Sequence, residues 1–339
     1  MPIHQLWAWN NAQAPESINH LAHVLFQRQV ASQPSAIAVE AWDGSFTYAS
    51  LDRISTQLAH HLIAQGVGPE MMVPLCFDKS CWAIAALLGV IKAGGAMVFI
   101  DPANPESRRR EIMNQVNSDY ILTNASHAAS WESMGIRPLV IDNKLVDCLR
   151  EYGASPRTGV SPDNLLYVVF TSGTTGRPKG CLITHKAFLS GALQHASKSN
   201  LGPGSRVMQL ASYSFDVSVL EILTSLISGA CVCTPDSAAM TQGLASIINN
   251  YQITWAFLTP SLVKLVKPYE VPSLKTLILG GEKLHKADIE TWAGHLQLIN
   301  GMVIRAIASP KLEALIIELH RIRPIRMFHC RSWRSPSYP

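Results

Sequence analysis

The chain has 339 residues, of which 47% are hydrophobic and 15% charged, so it can form one large or two ordinary domains and global disorder is excluded. Its net charge of +4 is uneven. Residues 302–339 carry seven basic and two acidic side chains, whereas residues 1–301 have a net charge of −1. The body of the chain is therefore not basic, and its charge indicates neither a nucleic-acid partner nor a membrane partner.

The cysteines and the N-terminal residues bear on the compartment. Seven cysteines are scattered without a CxxC pair, and the first residues lack the basic and apolar regions of a signal peptide. The longest apolar run, residues 81–91, is followed by Lys92 and is too short to span a bilayer. These features favour a reducing compartment, and we expect a cytoplasmic protein.

Short apolar runs alternate with helical patterns from about residue 70 onward. Ser80 is suited to cap the first helix of this region, and Gly94 is suited to end it. The alternation predicts an α/β fold with mostly parallel sheets flanked by helices. Residues 151–164, rich in Gly, Ser and Pro, are the best candidate for a linker between two sheet-containing lobes. We predict strands at 72–77, 96–100, 119–123, 165–170, 206–210, 230–233, 253–258 and 276–281, and helices at 80–94 and 105–117.

The segment FTSGTTGRPKG, residues 170–180, ends the predicted strand LLYVVF with a loop rich in glycines and hydroxyls. Backbone N–H groups of such a loop can hold an anion, and Lys179 adds a positive charge, so the segment suits a polyphosphate. A Walker P-loop requires GxxxxGK[ST] leading into a helix; the spacing here differs, and Pro178 would interrupt the helix. The dinucleotide pattern GxGxxG is absent as well. A flexible surface turn is the alternative interpretation.

The same segment resembles the phosphate-loop signature of the adenylate-forming superfamily, which includes acyl-CoA synthetases, luciferases and the adenylation domains of nonribosomal peptide synthetases. FTYASLD (46–52), IKAGGAMVFIDP (91–102), YSFDVSVLEI (213–222) and LILGGEKL (277–284) resemble further motifs of this family, in its order and approximate spacing. The resemblance covers about residues 5–301, and FDVS together with the opening WAWNNAQAP favours the peptide-synthetase branch. It implies the large N-terminal subdomain of the adenylate-forming fold.

The resemblance also implies site residues. Asp216 matches the aspartate that binds the α-ammonium of an amino-acid substrate, and the positions that line the pocket are otherwise uncharged. The bare sequence allows other roles, because an acidic residue at a helix start is ordinary and several pocket positions fit a core. The implied nucleotide-binding residues are Thr171, Ser172, Gly173, Thr174, Thr175, Gly176 and Lys179 in the phosphate loop, with Gly281, Glu282 and Lys283 against the adenine. The implied substrate pocket comprises Asp216, Val217, Leu220, Phe257, Ile278, Gly280 and Gly301.

The resemblance stops after Gly301, where the family continues with a Tyr-Gly-Pro-Thr-Glu run. We therefore expect residues 1–20 to be a lead-in, 21–301 to be a partial adenylation domain, and 302–339 to be an unrelated basic tail. The C-terminal subdomain with its catalytic lysine is expected to be absent, so we assign neither a catalytic residue nor a metal ligand. Ser309 and Pro310 are suited to begin a helix in the tail, although a frameshifted tail fits equally, and β-sheet edge groups beyond Gly301 are expected to be unpaired.

The implied reaction joins an amino acid to ATP and yields aminoacyl-AMP and pyrophosphate, with activity impaired by the missing parts. ATP and Mg²⁺ are the implied cofactors, and phosphopantetheine belongs to a separate carrier domain. The implied partners are an amino acid with an apolar or aromatic side chain and other synthetase domains. Two alternatives stay open: a catalytically dead remnant that binds nucleotide or a partner, and an acyl-CoA or aryl-acid ligase. His185 is interpreted as a surface residue of a capping turn rather than a catalytic base.

Overall fold

A computed structural model describes residues 18–172, 177–236, 241, 243–305 and 315–321 of the chain. Within these residues the strands form two sheets, one of six strands and one of eight, and helices lie against both. The strands are β1 (Ile37–Ala41), β2 (Gly44–Thr47), β3 (Met72–Cys76), β4 (Ala96–Phe99), β5 (Tyr120–Thr123), β6 (Arg137–Val140), β7 (Leu165–Ser172), β8 (Pro178–Thr184), β9 (Arg206–Met208), β10 (Cys231–Thr234), β11 (Trp255–Leu258), β12 (Thr276–Gly280), β13 (Gln297–Arg305) and β14 (Leu315–Arg321).

The helices connect successive strands, as expected for βαβ units. They are α1 (Ala22–Ser32), α2 (Tyr48–Ala64), α3 (Cys81–Ala93), α4 (Glu106–Val116), α5 (Ala125–Glu132), α6 (Asn143–Cys148), α7 (His185–Lys198), α8 (Asp216–Val219), α9 (Ser225–Ile227), α10 (Leu244–Asn250), α11 (Pro260–Val263) and α12 (Lys286–Trp292). A π-helical turn, Leu220–Thr224, joins α8 to α9. A 3₁₀ turn, Pro268–Glu270, follows α11.

Both sheets are parallel in their interiors, and antiparallel pairs occur only at their edges. The six-stranded sheet has the order β6-β5-β3-β4-β7-β8, and only the β7–β8 pair is antiparallel. The eight-stranded sheet has the order β14-β13-β12-β11-β9-β10-β1-β2, with antiparallel pairs at its two ends. The predicted α/β fold with mostly parallel sheets is therefore confirmed, and the carboxyl ends of the inner strands gather on one side of each sheet.

One helix that packs between the sheets, α3, begins and ends at the capping residues predicted from the sequence. The Ser80 hydroxyl accepts a hydrogen bond from the backbone N–H of Trp82, which opens α3, and Gly94 ends the helix with φ of 91°. Every residue of α3 except Trp82 is buried, and the only charged one, Lys92, pairs with Asp52 at 2.7 Å. Its Leu87 belongs to one hydrophobic cluster with Val39 of β1 and Leu75 of β3. The two sheets thus share a core.

The structure corrects the expectation of a linker between two lobes at residues 151–164. This segment connects α6 to β7, and strands from both sides of it, β4 and β7, pair in the same six-stranded sheet. Gly, Ser and Pro mark an exposed connection here, but a local composition cannot show which strands pair across it. The sheets do not divide at this point.

The structure also corrects two expectations for the region beyond Gly301. β13 continues to Arg305, and residues 315–321 form the antiparallel strand β14, from Arg321 opposite Ile299 to Leu315 opposite Arg305. A helix is therefore wrong for 315–321, and the expected unpaired edge at β13 is wrong as well. Backbone N–H and C=O groups along β13 need partners, and pairing with β14 supplies them, which outweighs a helical spacing of apolar residues. Residues 306–314 lie outside the described part.

Candidate nucleotide and substrate site

The candidate phosphate loop joins two antiparallel strands. Phe170 pairs with Gly180 and Thr171 with Lys179, so β7 and β8 bring the two ends of the loop together as a hairpin. Lys179 is exposed at the start of β8. A Walker loop would lead into a helix, so this topology agrees with the sequence argument against one. Gly173, Thr174, Thr175 and Gly176 lie outside the described residues, as does the side chain of Ser172, and their anion-binding role stays a prediction.

A cleft opens beside this hairpin and reaches the segment that precedes Asp216. It has a volume of about 820 Å³ including its open mouth, and its walls include Asp101, Arg108, Thr171, Ser214 and Phe215. Phe215 is 56% exposed, so a large aromatic surface borders the cleft. The end of β7 and the approach to Asp216 therefore face a common space, which is where a nucleotide and a second substrate could meet.

Asp216 is the first residue of α8 and only 5% of its surface is exposed. One carboxylate oxygen, Oδ1, accepts a hydrogen bond from the backbone N–H of Val217 at 2.9 Å. The helix N-terminus favours a negative charge at this position. Asp216 also borders a narrow recess between α7 and the π-helical turn, together with Tyr167, His195 and Leu220. The structure thus places a buried carboxylate at the wall of a recess that is otherwise largely apolar.

The predicted pocket residues on the sheet lie on three neighbouring parallel strands, toward the carboxyl ends of β11 and β12 and, for Gly301, at the point where the pairing of β13 with β12 ends. Phe257 of β11 pairs with Ile278 of β12, and Gly280 of β12 pairs with Gly301 of β13. The Phe257 ring lies over both glycines: a Cβ atom would stand 2.6 Å from ring atom Cζ at Gly280 and 3.0 Å from Cε2 at Gly301. A side chain at either glycine would therefore collide with the ring.

One hydrophobic cluster connects these strand ends to the helix that begins at Asp216. Leu220, Phe257 and Ile278 belong to it, and Val217 packs against it. Leu220 also borders the recess beside Asp216, so the helix and the strand ends form two walls of one region. The structure therefore brings the predicted pocket residues together, although each of the apolar ones also has an ordinary packing role, and their contact with a substrate stays a prediction.

The predicted adenine segment forms an exposed turn after β12. Gly281, Glu282 and Lys283 are all exposed, and Gly281 has φ of 80°, a left-handed conformation that suits glycine. The Glu282 carboxylate accepts hydrogen bonds from the Ser261 hydroxyl at 2.5 Å and from the Ser261 backbone N–H at 3.0 Å. The hydroxyl bond is the main reason that the pKa of Glu282 lies below its usual value. Glu282 thereby fixes this turn to α11, and the adenine contact stays a prediction.

Sequence reasoning missed a polar network around the approach to Asp216. Glu221 is completely buried in the π-helical turn, and its carboxylate accepts hydrogen bonds from Gln209 Nε2 at 3.0 Å and from the Ala211 backbone N–H at 3.1 Å. The half-buried Lys79 donates to Gln209 Oε1 at 2.6 Å and to the carbonyl oxygen of Ala211. Burial raises the pKa of Glu221 and lowers that of Lys79. The available signal was an acidic residue inside the apolar run VSVLEI.

The surface position expected for His185 is wrong. Thr184 does cap α7, because its hydroxyl accepts a hydrogen bond from the Ala187 backbone N–H. His185 itself is fully buried, and its Nδ1 accepts a hydrogen bond from the backbone N–H of Ala22 at 3.2 Å. Burial lowers the pKa of His185 to about 3. Packing of α1 against α7 covers this side chain, and the local sequence around a helix start carries no information about so distant a contact.

The described residues contain neither a recognisable metal centre nor a membrane span. Among them, no group of three or more His, Cys, Asp and Glu side chains is placed to hold a metal ion. None of their helices combines the length and the apolar character needed to cross a membrane.

Comparison with protein families identifies the chain. The model of the AMP-binding enzyme family matches residues 26–302, which is most of the sequence. The chain belongs to the AMP-binding enzyme family. The match includes the β7–β8 hairpin, the Asp216 helix and the pocket positions on β11, β12 and β13, so the candidate site lies entirely within the part that this family shares. An adenine nucleotide is the ligand that the family implies.

Fungal peptide synthetases are similar to the chain in sequence. It is 42% identical over 300 residues to nonribosomal peptide synthetase TES of Alternaria alternata, covering 88% of this chain and 6% of that protein. It is 45% identical over 292 residues to nonribosomal peptide synthetase atnA of Emericella nidulans, covering 86% of this chain and 4% of that protein. N-benzoylphenylalaninol synthetase apmA of Penicillium brevicompactum is 41% identical over 298 residues, with 87% and 12% covered. The chain thus spans a small part of these relatives.

Solved structures confirm the fold. The synthetase FmoA3 (S1046A), in its form bound to alpha-methyl-L-serine-AMP, superimposes with a TM-score of 0.82 at 22% identity, covering 95% of this chain and 36% of that one. The N-terminal subdomain of Klebsiella oxytoca NpsA, in complex with 3-hydroxyanthranilyl-AMSN, gives a TM-score of 0.75 at 20% identity, with 90% and 76% covered. The predicted large N-terminal subdomain of the adenylate-forming fold is therefore confirmed.

Proposed function

We propose that the chain carries the nucleotide and amino-acid sites of an adenylation unit of nonribosomal peptide synthesis. In this reaction a carboxylate oxygen of the amino acid attacks the α-phosphorus of ATP, and the bond to the bridging oxygen of pyrophosphate breaks. Membership of the AMP-binding enzyme family and similarity to peptide synthetases support this proposal. Its main support in the structure is the placement of one buried carboxylate, Asp216, at a largely apolar recess.

Asp216 suits the α-ammonium group of an amino acid for electrostatic reasons. A carboxylate that is 5% exposed interacts strongly with a cation, because little water screens the pair. The ammonium group would enter the recess, while the side chain of the amino acid would lie toward Leu220, Phe257 and Ile278. These walls are uncharged, so the proposed substrate carries an apolar or aromatic side chain.

The hairpin would hold the phosphates of ATP. Lys179 is exposed at the mouth of the loop and can place its ammonium group against the β- and γ-phosphates. Thr171 lies opposite Lys179 and lines the cleft that extends to Phe215. Positive charge near the leaving pyrophosphate stabilises the charge that develops there. Mg²⁺, when bound to the phosphates, would add further countercharge; its ligands and a carrier-bound phosphopantetheine belong to the proposal rather than to the observed geometry.

Ligand binding to the 339-residue chain tests the amino-acid assignment. Calorimetry would compare L-phenylalanine and L-leucine with their des-amino analogues, 3-phenylpropionate and 4-methylpentanoate, in the parent and in Asp216→Asn. We expect the substitution to weaken amino-acid binding at least ~30-fold, the lower limit for removing one partner of a buried charge pair, and to leave the analogues unaffected. Equal loss for both ligand types would contradict the assignment.

A second measurement tests the phosphate hairpin. Lys179→Ala together with Gly173→Ala should abolish binding of ATP, because the first removes the cation and the second restricts the loop backbone. Lys186→Ala is the matched control, since Lys186 is a partly exposed lysine on α7 whose ion-pair partner is Asp163. ATP affinity that is the same in the double variant and in the parent would show that the hairpin does not hold the nucleotide.

The two alternatives predict different results in these assays. An aryl-acid or acyl-CoA ligase would bind the des-amino analogues at least as tightly as the amino acids, and Asp216→Asn would not discriminate between them. A remnant without catalytic function would bind ATP through the hairpin but show no binding of any amino acid. The NpsA complex named above holds 3-hydroxyanthranilyl-AMSN, so aryl acids belong in the ligand panel.

A further inference from the structure

The segment that leads from β9 to Asp216 is held at one point by three polar side chains. Both backbone groups of Ala211 form hydrogen bonds with these side chains. Glu221 accepts from the Ala211 N–H at 3.1 Å. Lys79 and Gln209 both donate to the Ala211 carbonyl oxygen, Gln209 at 2.8 Å. Gln209 also joins the other two, because its amide accepts from Lys79 and donates to Glu221. All three side chains of the network therefore contact the backbone of Ala211, and Gln209 also contacts the other two.

The network draws its members from both sheets. Lys79 follows β3 of the six-stranded sheet, and Gln209 follows β9 of the eight-stranded sheet. Glu221 comes from the π-helical turn, a rare conformation that often occurs at functional sites. The extra residue in such a turn shifts the side chains that follow it relative to an α-helix. Ala211 is thus tied to two sheets and to the helix that begins at Asp216.

Further contacts hold the residues between Ala211 and Asp216. The ring of Tyr213 lies 4.6 Å from the ammonium group of Lys79, and its hydroxyl accepts from the Ser80 backbone N–H at 3.2 Å. The Ser218 hydroxyl donates to the carbonyl oxygen of Phe215 at 2.6 Å. Residues 211–216 are therefore held at several points, and the contacts of Lys79 with Ala211 and Tyr213 are two of them.

Stability alone does not account for such a network. Buried charges lose their hydration, and exchanging a buried ion pair for apolar side chains of similar size is often neutral or stabilising. An arrangement of this kind is useful where it imposes one geometry. Here that geometry belongs to the residues immediately before Asp216.

We propose that Lys79, Gln209 and Glu221 are positioning residues that fix the backbone at Ala211 and thereby hold Asp216 at the substrate recess. The proposal rests on the proposed function in naming an amino acid as the ligand of Asp216. None of the three residues need touch that ligand. Their removal should weaken amino-acid binding and leave the nucleotide at the hairpin largely unaffected, a split that a general loss of folding would not give.

The double variant Lys79→Met/Glu221→Leu removes the charges together, so that no unpaired charge stays buried. We expect it to remain folded with a lower melting temperature, because the Ala211 N–H and the Gln209 amide lose their acceptor, and to bind its amino acid at least ~10-fold more weakly, since small misplacements of a binding group are costly. The probes are the twenty proteinogenic amino acids, each tested alone, and ATP, whose affinity should change less than about twofold. Glu221→Gln keeps an acceptor for Ala211 and should bind within about threefold of the parent.

The matched control is Lys286→Met/Glu290→Leu, which removes an exposed ion pair from α12. Hydrogen–deuterium exchange of peptides covering residues 209–218 gives a readout that requires no ligand. Exchange there should be at least ~10-fold faster in the Lys79/Glu221 double variant and unchanged in the control, because the Ala211 amide loses its acceptor. If the double variant does not fold, Glu221→Leu alone is measured in the same way, because it also removes the acceptor of the Ala211 amide.

The outcomes separate the two proposals. Unchanged exchange and unchanged amino-acid binding in a folded double variant would overturn the positioning role. A parent chain that binds none of the twenty amino acids would refute the proposed function, whereas the exchange measurement would still decide whether the network orders this segment.

Discussion

Two buried histidines make the stability of this fold depend on pH. His23 and His185 are buried side by side, with ring centroids 6.0 Å apart. Burial lowers the pKa of His185 to about 3, and burial together with the nearby charge of Lys92 lowers the pKa of His23 to about 4. Both side chains are therefore neutral in the folded protein at a pH where they are protonated in the unfolded chain.

The sign and the size of the effect follow from these pKa values. The unfolded chain binds more protons below pH 6.5, so folding stability falls as the pH falls from 6.5 towards 4. At about pH 5, each histidine should cost about 2 kcal/mol of unfolding free energy relative to about pH 8, and the two together about 4 kcal/mol. Burial raises the pKa of Glu221, which acts in the opposite sense over part of this range. The comparison must therefore be made between variants.

The assay is urea unfolding followed by tryptophan fluorescence at about pH 8 and about pH 5. His185→Gln is the test variant, because its side-chain oxygen can accept the hydrogen bond from Ala22 that His185 accepts now. The stability lost between the two pH values should be about 2 kcal/mol smaller in this variant than in the parent. His295→Gln, at an exposed position, is the control and should leave the pH dependence unchanged. If His185→Gln lost as much stability on acidification as the parent, the reasoning would be refuted.

Three further predictions concern packing and capping. Phe257→Ala should remove the ring above the pocket glycines and improve binding of L-tryptophan relative to L-valine, which calorimetry can compare; an unchanged ratio would contradict the ring's place in the pocket. Gly94→Ala should lower the unfolding free energy by about 1–3 kcal/mol more than Gly66→Ala, since both have positive φ but only the first would place Cβ 2.8 Å from a side chain; equal losses would exclude overpacking. Ser80→Ala should cost about 1 kcal/mol in chemical unfolding, and no loss would argue against the cap.

Local patterns in the sequence predicted the order of strands and helices. Ser80 and Gly94 marked the two ends of α3, because a hydroxyl that accepts from a free N–H and a residue that tolerates positive φ act within a few residues. The motif resemblance placed Asp216, Phe257 and Gly301 in one pocket although they are far apart in the chain. Spacing alone could not have done this, since nothing in their surroundings indicates which strands become neighbours.

The expectations that failed all depend on contacts between distant parts of the chain. The composition of residues 151–164 indicated a connection but not that β4 and β7 pair across it. Leu315, Ile316 and Leu319 have a helical spacing, but their segment pairs with the edge of β13 and forms a strand instead. Glu221 was not among the residues singled out from the sequence, and only the fold shows that Gln209 and Ala211 contact it in the interior. Such partners lie outside the reach of local propensity.

The burial of Asp216 affects how strongly its carboxylate can interact with a cation. A carboxylate regains hydration if its backbone can swing it into water, and it then binds an ammonium group only weakly. Asp216 is 5% exposed at the start of its helix, and in our proposal the hydrogen bonds that anchor Ala211, five residues earlier, hold it there. The folding of the whole domain offsets the free energy that the carboxylate loses with its hydration, and it does so before any substrate binds. Under the proposed function, an incoming ammonium group would find a fixed partner, and binding it would require no reorganisation of the segment, which is the condition under which electrostatic recognition is strongest.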